Sequence, residues 1–168
     1  NTFHSAAAGR ISFCLGLEGP SASYDAACSS SLVALHAAVR SLRNGDCDMA
    51  LVAGVNMAVS PAMSIAYGLT GMTSASGRCN TFDDSADGLV RGEGCGAIVL
   101  KRAVDVNSSA AKTNSTYAIV KGVAVASNGA SASKASCGYT LFPHFLPLDA
   151  RTARIRAACF FAASALSE

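Results

Sequence analysis

Apolar and polar positions alternate along this chain in two distinct rhythms. Over residues 29–43, Leu32, Leu35, His36, Val39 and Leu42 fall at i, i+3, i+4, i+7 and i+10, which places them on one face of a helix. Asn44-Gly45 follows as a stop signal, because glycine adopts the left-handed conformation that closes helices. The run over 49–55 is apolar without interruption and has the length of a strand buried in a parallel sheet. Residues 5–17 are alanine-rich at helical spacing and halt at Gly19-Pro20. Residues 22–27 predict a short strand, and 61–69 a helix with Pro61 in its first turn. A loop rich in Gly, Ser and Asp covers 70–85. Residues 88–91 and 96–101 read as two strands around a glycine turn, 106–114 as a polar loop and 117–126 as a further strand. Residues 151–166 carry a helical pattern. This succession of strand and helix, followed by strands, predicts a layered α/β domain.

Composition narrows the class. Of the 168 residues, 51% are hydrophobic and 14% charged, enough for a sizeable core and too little charge for a disordered segment. The net charge is +2 without blocks of like sign, so no nucleic-acid or membrane-surface patch stands out. No run approaches the ~20 apolar residues that span a bilayer. Asn1-Thr2-Phe3-His4 is not the basic start of a signal peptide. The seven cysteines are odd in number and never at Cys-x-x-Cys spacing, which argues against zinc and a disulfide framework. Most are expected to be small buried hydrophobes in a reduced, intracellular protein, cytoplasmic with a plastid location still open. Asn107 and Asn114 match the glycosylation acceptor pattern and are read as ordinary loop residues.

Cys28 stands apart. It lies between a predicted strand and a predicted helix, in Asp25-Ala26-Ala27-Cys28-Ser29-Ser30-Ser31. A thiol at a helix start meets the positive end of the dipole and free backbone N–H groups, both of which favour thiolate. The same N–H groups can hold the oxyanion formed when a thioester carbonyl is attacked. A sharp strand-to-helix turn keeps a nucleophile exposed and rigid. Thioester-to-thioester acyl transfer suits cysteine, because the attacking and departing groups are both thiolates. On position alone, an inert core cysteine remains an even alternative.

The surrounding residues add to this. Gly19-Pro20-Ser21 and the block from Asp25 through Cys28 to His36 closely resemble the active-site segment of type I polyketide ketosynthases, the β-ketoacyl synthases. Residues 6–13 resemble the helix that precedes that segment. Ala53-Gly54-Val55-Asn56 and Ser60-Pro61 resemble the strand and turn that follow it. Gly71-Met72-Thr73-Ser74, Gly77-Arg78-Cys79-Asn80-Thr81-Phe82-Asp83, Ser85-Ala86-Asp87-Gly88 and Val90-Arg91-Gly92-Glu93-Gly94 match in order. The likeness covers residues 5–125.

This resemblance implies a thiolase-like α-β-α-β-α layered fold, of which residues 1–168 would be mostly the N-terminal half, truncated at both ends. It implies that Cys28 takes an acyl group from an acyl carrier protein. A malonyl-type thioester then loses CO₂ and its carbanion attacks the acyl-cysteine, giving a β-ketoacyl thioester. No metal or bound cofactor is implied, since the phosphopantetheine arm belongs to the carrier. A homodimer is expected of the complete domain, with no nucleic-acid or membrane partner.

Two departures accompany the likeness. Ala26 stands where threonine is commoner, and 131–150 is atypical, open either to natural replacement or to compensating frameshifts in the source read. The family also uses two histidines after the cysteine, the first in a His-Gly-Thr-Gly-Thr segment. His4, His36 and His144 lie in no such segment. His36 stands about 12 Å along the helix axis from Cys28, at ~1.5 Å per residue, far beyond hydrogen-bond reach. The chain alone is therefore expected not to condense substrates. Asp83, Asp84 and Asp87 have a diphosphate-metal spacing without the helix it needs. Gly92 to Gly96 reads as a tight turn, and Glu93 as a candidate for a buried polar network. Rival readings are a fatty-acid elongating ketosynthase, a non-catalytic chain-length partner subunit, which would ordinarily lack Cys28, and a cysteine hydrolase, for which no partner histidine is evident.

Overall fold

The computed structural model describes residues 4–106, 116–127, 145–146 and 157–163. Helix α1 (His4–Leu15) leads to strand β1 (Ser21–Tyr24), helix α2 (Ser30–Asn44), strand β2 (Met49–Asn56) and helix α3 (Pro61–Leu69). Strand β3 (Gly94–Lys101), the single turn α4 (Ala103–Val106), and the strands β4 (Ile119–Val120), β5 (Phe145–Leu146) and β6 (Ala157–Ala163) follow.

Four strands form one sheet in the order β1-β6-β2-β3. β6 runs parallel to both neighbours, so β1 and β2 are themselves parallel and α2 is the crossover between them. β3 returns antiparallel on the outer edge of β2, with Gly54 opposite Gly96 and Asn56 opposite Gly94. β4 and β5 pair separately.

Strand alternation divides β2 between two layers. Ala50 and Val52 pack with Ala34, Leu35, Ala38, Val39 and Leu42 of α2. Ala53 and Val55 pack with Ala7, Ala8 and Ile11 of α1. The described residues thus make a three-layer α-β-α sandwich with its main core under α2. The buried stripe of α2 is displaced from the expected one. Ala34 and Ala38 are wholly buried, whereas Leu32 and His36 are only partly so. Small side chains at the centre of the contact let the helix lie close against the sheet, and the larger residues move to its flanks. α2 ends as expected at Gly45, with φ 79°, whose neighbour Asp46 donates its N–H to the Ser41 carbonyl at 3.0 Å. Arg102 closes this end. Its Nη1 donates to the carbonyls of Leu42 at 3.1 Å and Cys47 at 2.7 Å, and its Nη2 pairs with Asp48 at 2.8 Å.

Four expectations are corrected. Residues 157–163 form the strand β6 between β1 and β2, not part of a helix. Alanine favours helix in isolation, but Ala-Ala-Cys-Phe-Phe-Ala-Ala is uninterruptedly apolar, and a central position between two strands overrides propensity. Residues 88–91 make only an isolated bridge, Leu89 to Thr73, so no hairpin precedes β3. Gly94 and Gly96 lie inside β3 and not in a tight turn. The strand expected over 117–126 shrinks to Ile119–Val120. Most of 131–150, Asn107, Asn114 and His144 lie outside the described residues.

Candidate active site

Three parallel strands end at the same edge of the sheet, where clefts in open α/β folds form. The chain leaves β1 after Tyr24 and must turn sharply to enter α2. Ala27 makes that turn with φ 50°, a left-handed conformation uncommon outside glycine. Side chains brace it on every side. Asp25 Oδ1 accepts from the Ala27 N–H at 3.2 Å. Ser29 Oγ donates to the Ala26 carbonyl at 2.7 Å. Ser30 Oγ accepts from the Ala26 N–H at 2.8 Å and donates to the Ala27 carbonyl at 2.6 Å. The apex of this braced turn is Cys28, which is exposed.

The residues beside Cys28 outline a cleft of about 350 Å³, lined by Cys28, Ser31, Gly54, Val55, Asn56, Gly94 and Gly96. None of these seven carries a formal charge, and three are glycines. Backbone therefore forms much of the wall. Asn56 donates from Nδ2 to the Gly92 carbonyl, and Glu93 Oε1 accepts from the Ala58 N–H at 2.6 Å. These two bonds tie the end of β2 to the segment leading into β3. Glu93 is exposed, so the network it joins lies at the surface and not in the core as expected.

The helix contribution differs in detail from expectation. α2 begins at Ser30 with Ser29 as N-cap, so Cys28 precedes the cap. The N–H groups of Ser29 and Ser30 donate to the carbonyls of Ala26 and Ala27, at 3.2 and 3.1 Å. Those two amides maintain the turn and are not free for an oxyanion. The cysteine expectation is also corrected. Cys47 is buried, while Cys14, Cys28, Cys79 and Cys95 are exposed. In a chain of 168 residues the surface is large relative to the core.

Among the described residues no histidine lines the cleft. His4 opens α1, and His36 sits on α2, only partly buried. Asp83 and Asp87 turn to different partners. Asp83 accepts from Ser85 N–H and Oγ, and Asp87 from Ser74 Oγ at 2.5 Å and the Ala75 N–H at 3.1 Å. Among the described residues no cluster of His, Cys, Asp or Glu could hold a metal ion, and no helix is long and apolar enough to cross a membrane.

What sequence reasoning missed at this site is the structural work of Ser29 and Ser30, and the glycine wall. The serine triplet was visible, but which hydroxyls turn back to the chain depends on the left-handed Ala27.

Comparison with known proteins bears on this geometry. Residues 1–105 match the family model described as "Beta-ketoacyl synthase, N-terminal domain". The chain is 49% identical over 130 residues to a phenolphthiocerol/phthiocerol polyketide synthase polypeptide of Mycobacterium tuberculosis, covering 77% of this chain and 7% of that protein. Another polypeptide of the phenolphthiocerol/phthiocerol polyketide synthase from the same species is 48% identical over 128 residues, covering 76% of this chain and 8% of that protein. Among solved structures, the ketosynthase from module 6 of the bacillaene synthase of Bacillus subtilis superposes with a TM-score of 0.74 at 39% identity. The match covers 79% of this chain and 23% of that one. An oxazolomycin ketosynthase domain from Streptomyces albus gives the same TM-score and coverage at 37% identity. The chain therefore spans under a tenth of the polyketide synthase polypeptides and about a quarter of the solved ketosynthases that it matches.

Proposed function

The chain belongs to the β-ketoacyl synthase family, with the thiolase-like α/β fold of polyketide ketosynthases, and we propose that Cys28 is its acyl-carrying nucleophile. One observation carries this reading. Among the described residues, the one cysteine lining the cleft is exposed on a rigid strand-to-helix turn at the ends of parallel strands.

The chemistry follows from that placement. The Cys28 thiolate attacks the carbonyl of an acyl thioester presented on the phosphopantetheine arm of an acyl carrier protein. The tetrahedral adduct collapses, the C–S bond to the carrier breaks, and the carrier leaves as a thiolate. A malonyl-type thioester on a second carrier then releases CO₂, and the electron pair left on carbon attacks the acyl-cysteine. Cys28 departs as thiolate, and the product is a β-ketoacyl thioester. The glycine-lined cleft suits a slender acyl chain because no side chain projects from Gly94 or Gly96.

The described residues place no imidazole in this cleft, so assistance to decarboxylation falls to groups outside them. We assign this chain the acylation half-reaction, within the N-terminal half of a ketosynthase domain that is cytoplasmic, needs no bound cofactor and pairs as a homodimer when whole. A non-catalytic partner subunit is disfavoured by Cys28 itself.

The test is direct. The complete parent protein is incubated with a short-chain acyl thioester of N-acetylcysteamine, digested and analysed by mass spectrometry. The acyl mass is expected on the peptide carrying Cys28, and an acylated parent with that peptide unmodified would overturn the assignment.

A further inference from the structure

The register of β2 puts Gly54 on the same face as Ala50 and Val52, toward α2. It meets that helix at its first turn. A Cβ built on Gly54 would stand 3.0 Å from Ser31 Cβ and 3.9 Å from Ser31 Oγ. The first distance is tighter than ordinary carbon contact, which begins near ~3.5 Å. Ser31 lies three residues beyond Cys28, and both line the same cleft. Among the described residues no other side chain comes within 4 Å of that Cβ, so the contact is specific to one partner. The backbone of Gly54 needs no special conformation, since its φ is not among the positive values. Space alone, and not backbone freedom, requires glycine here.

We propose that Gly54 is a positioning residue for acyl transfer: its missing side chain lets the first turn of α2 settle against β2, and Ser31 transmits that seating to Cys28. This rests on the assignment of Cys28 as nucleophile. Adding a methyl at Gly54 pushes Ser31 outward by a few tenths of an ångström. The braces of the turn run from Ser29 and Ser30 to Ala26 and Ala27, so the displacement reaches the sulfur through a rigid unit. The core of α2, from Ala34 to Leu42, lies further along the helix.

The experiment uses the complete parent protein, as wild type and as G54A, S31G and the G54A/S31G double variant. Two rates are read at the Cys28 peptide: alkylation by iodoacetamide and acylation by the N-acetylcysteamine thioester, the latter resolved into kcat and KM. G54A is expected to lower kcat for acylation about tenfold, since misplacement of about 1 Å can cost a hundredfold. KM should change less than twofold, and alkylation should slow in parallel. Removing the opposing Cβ should restore the double variant to within about twofold of S31G alone. A general loss of structure would not be repaired at that one atom.

If G54A matches wild type, or if S31G fails to rescue it, the proposal is overturned. If G54A does not fold, the double variant decides: folded with near-wild-type rates supports the proposal, and unfolded overturns it. Should wild-type Cys28 alkylate but never acylate, the nucleophile assignment fails instead, and the alkylation rates still judge the seating.

Discussion

Ser30 closes the turn beneath Cys28 by accepting the Ala26 N–H at 2.8 Å while donating to the Ala27 carbonyl at 2.6 Å. Its side chain is almost wholly buried, at 1% exposure. Ser30→Ala leaves the Ala26 donor without that acceptor, and an unsatisfied buried group costs about 1–3 kcal/mol. The expected outcome in the complete protein is a loss of stability in that range by denaturant titration, together with slower acylation of Cys28. A Ser30→Ala protein with unchanged stability would mean that water replaces the hydroxyl.

Ala27 gives a second, sharper check. A β-branched residue at φ 50° crowds its own backbone, and strain of this kind costs about 1–3 kcal/mol. Ala27→Val is therefore expected to destabilise the domain by that amount and to slow acylation. Ala27→Gly should stay within about 1 kcal/mol of wild type, because relief at positive φ offsets the added freedom of the unfolded chain. Equal effects of the two substitutions on the melting midpoint would contradict the turn geometry.

The loop from Met72 to Leu89 has an acid-sensitive tie. The Ser74 hydroxyl foremost, with help from backbone N–H groups including that of Ala75, holds the Asp87 carboxyl below the ordinary carboxylate range. A depressed folded value means that the unfolded chain takes up the proton first. The stabilisation is present above about pH 4 and is lost as the pH falls below it, until the folded carboxyl is protonated too. Protection of the Ser74 and Ala75 amides, taken relative to their intrinsic exchange rates, should fall through that window in the wild type. Asp87→Asn should exchange faster at neutral pH and show less of the acid dependence. Identical pH profiles for the two proteins would remove Asp87 from the account.

Much of the sandwich was legible in local signals. The stop at Gly45, the proline-led α3 and the strand Met49–Asn56 are set by residues whose preferences agree with their surroundings. β6 was not, because an apolar run carries no period that separates a strand from a buried helix, and its slot is defined by two strands more than a hundred residues distant. The hairpin expected before β3 failed for a related reason. Leu89 pairs with Thr73 across the loop, and Asp87 anchors that loop through Ser74, so glycine spacing near 92–96 was a poor guide to the turn. At the site, Cys28 stood out from the sequence because a block of neighbours resembles one family. The closeness of Gly54 to Ser31 was invisible, being a matter of register between a strand and a helix.

The role of the Cys28 sulfur is tested most directly by replacing it. Chain extension by the complete parent synthase, measured as β-ketoacyl thioester formed from a carrier-bound acyl group and a malonyl-type thioester, should fall to background in Cys28→Ala. The fold should be retained, because the side chain is exposed and its removal leaves no cavity. A folded Cys28→Ala protein that extends chains at the wild-type rate would contradict the account.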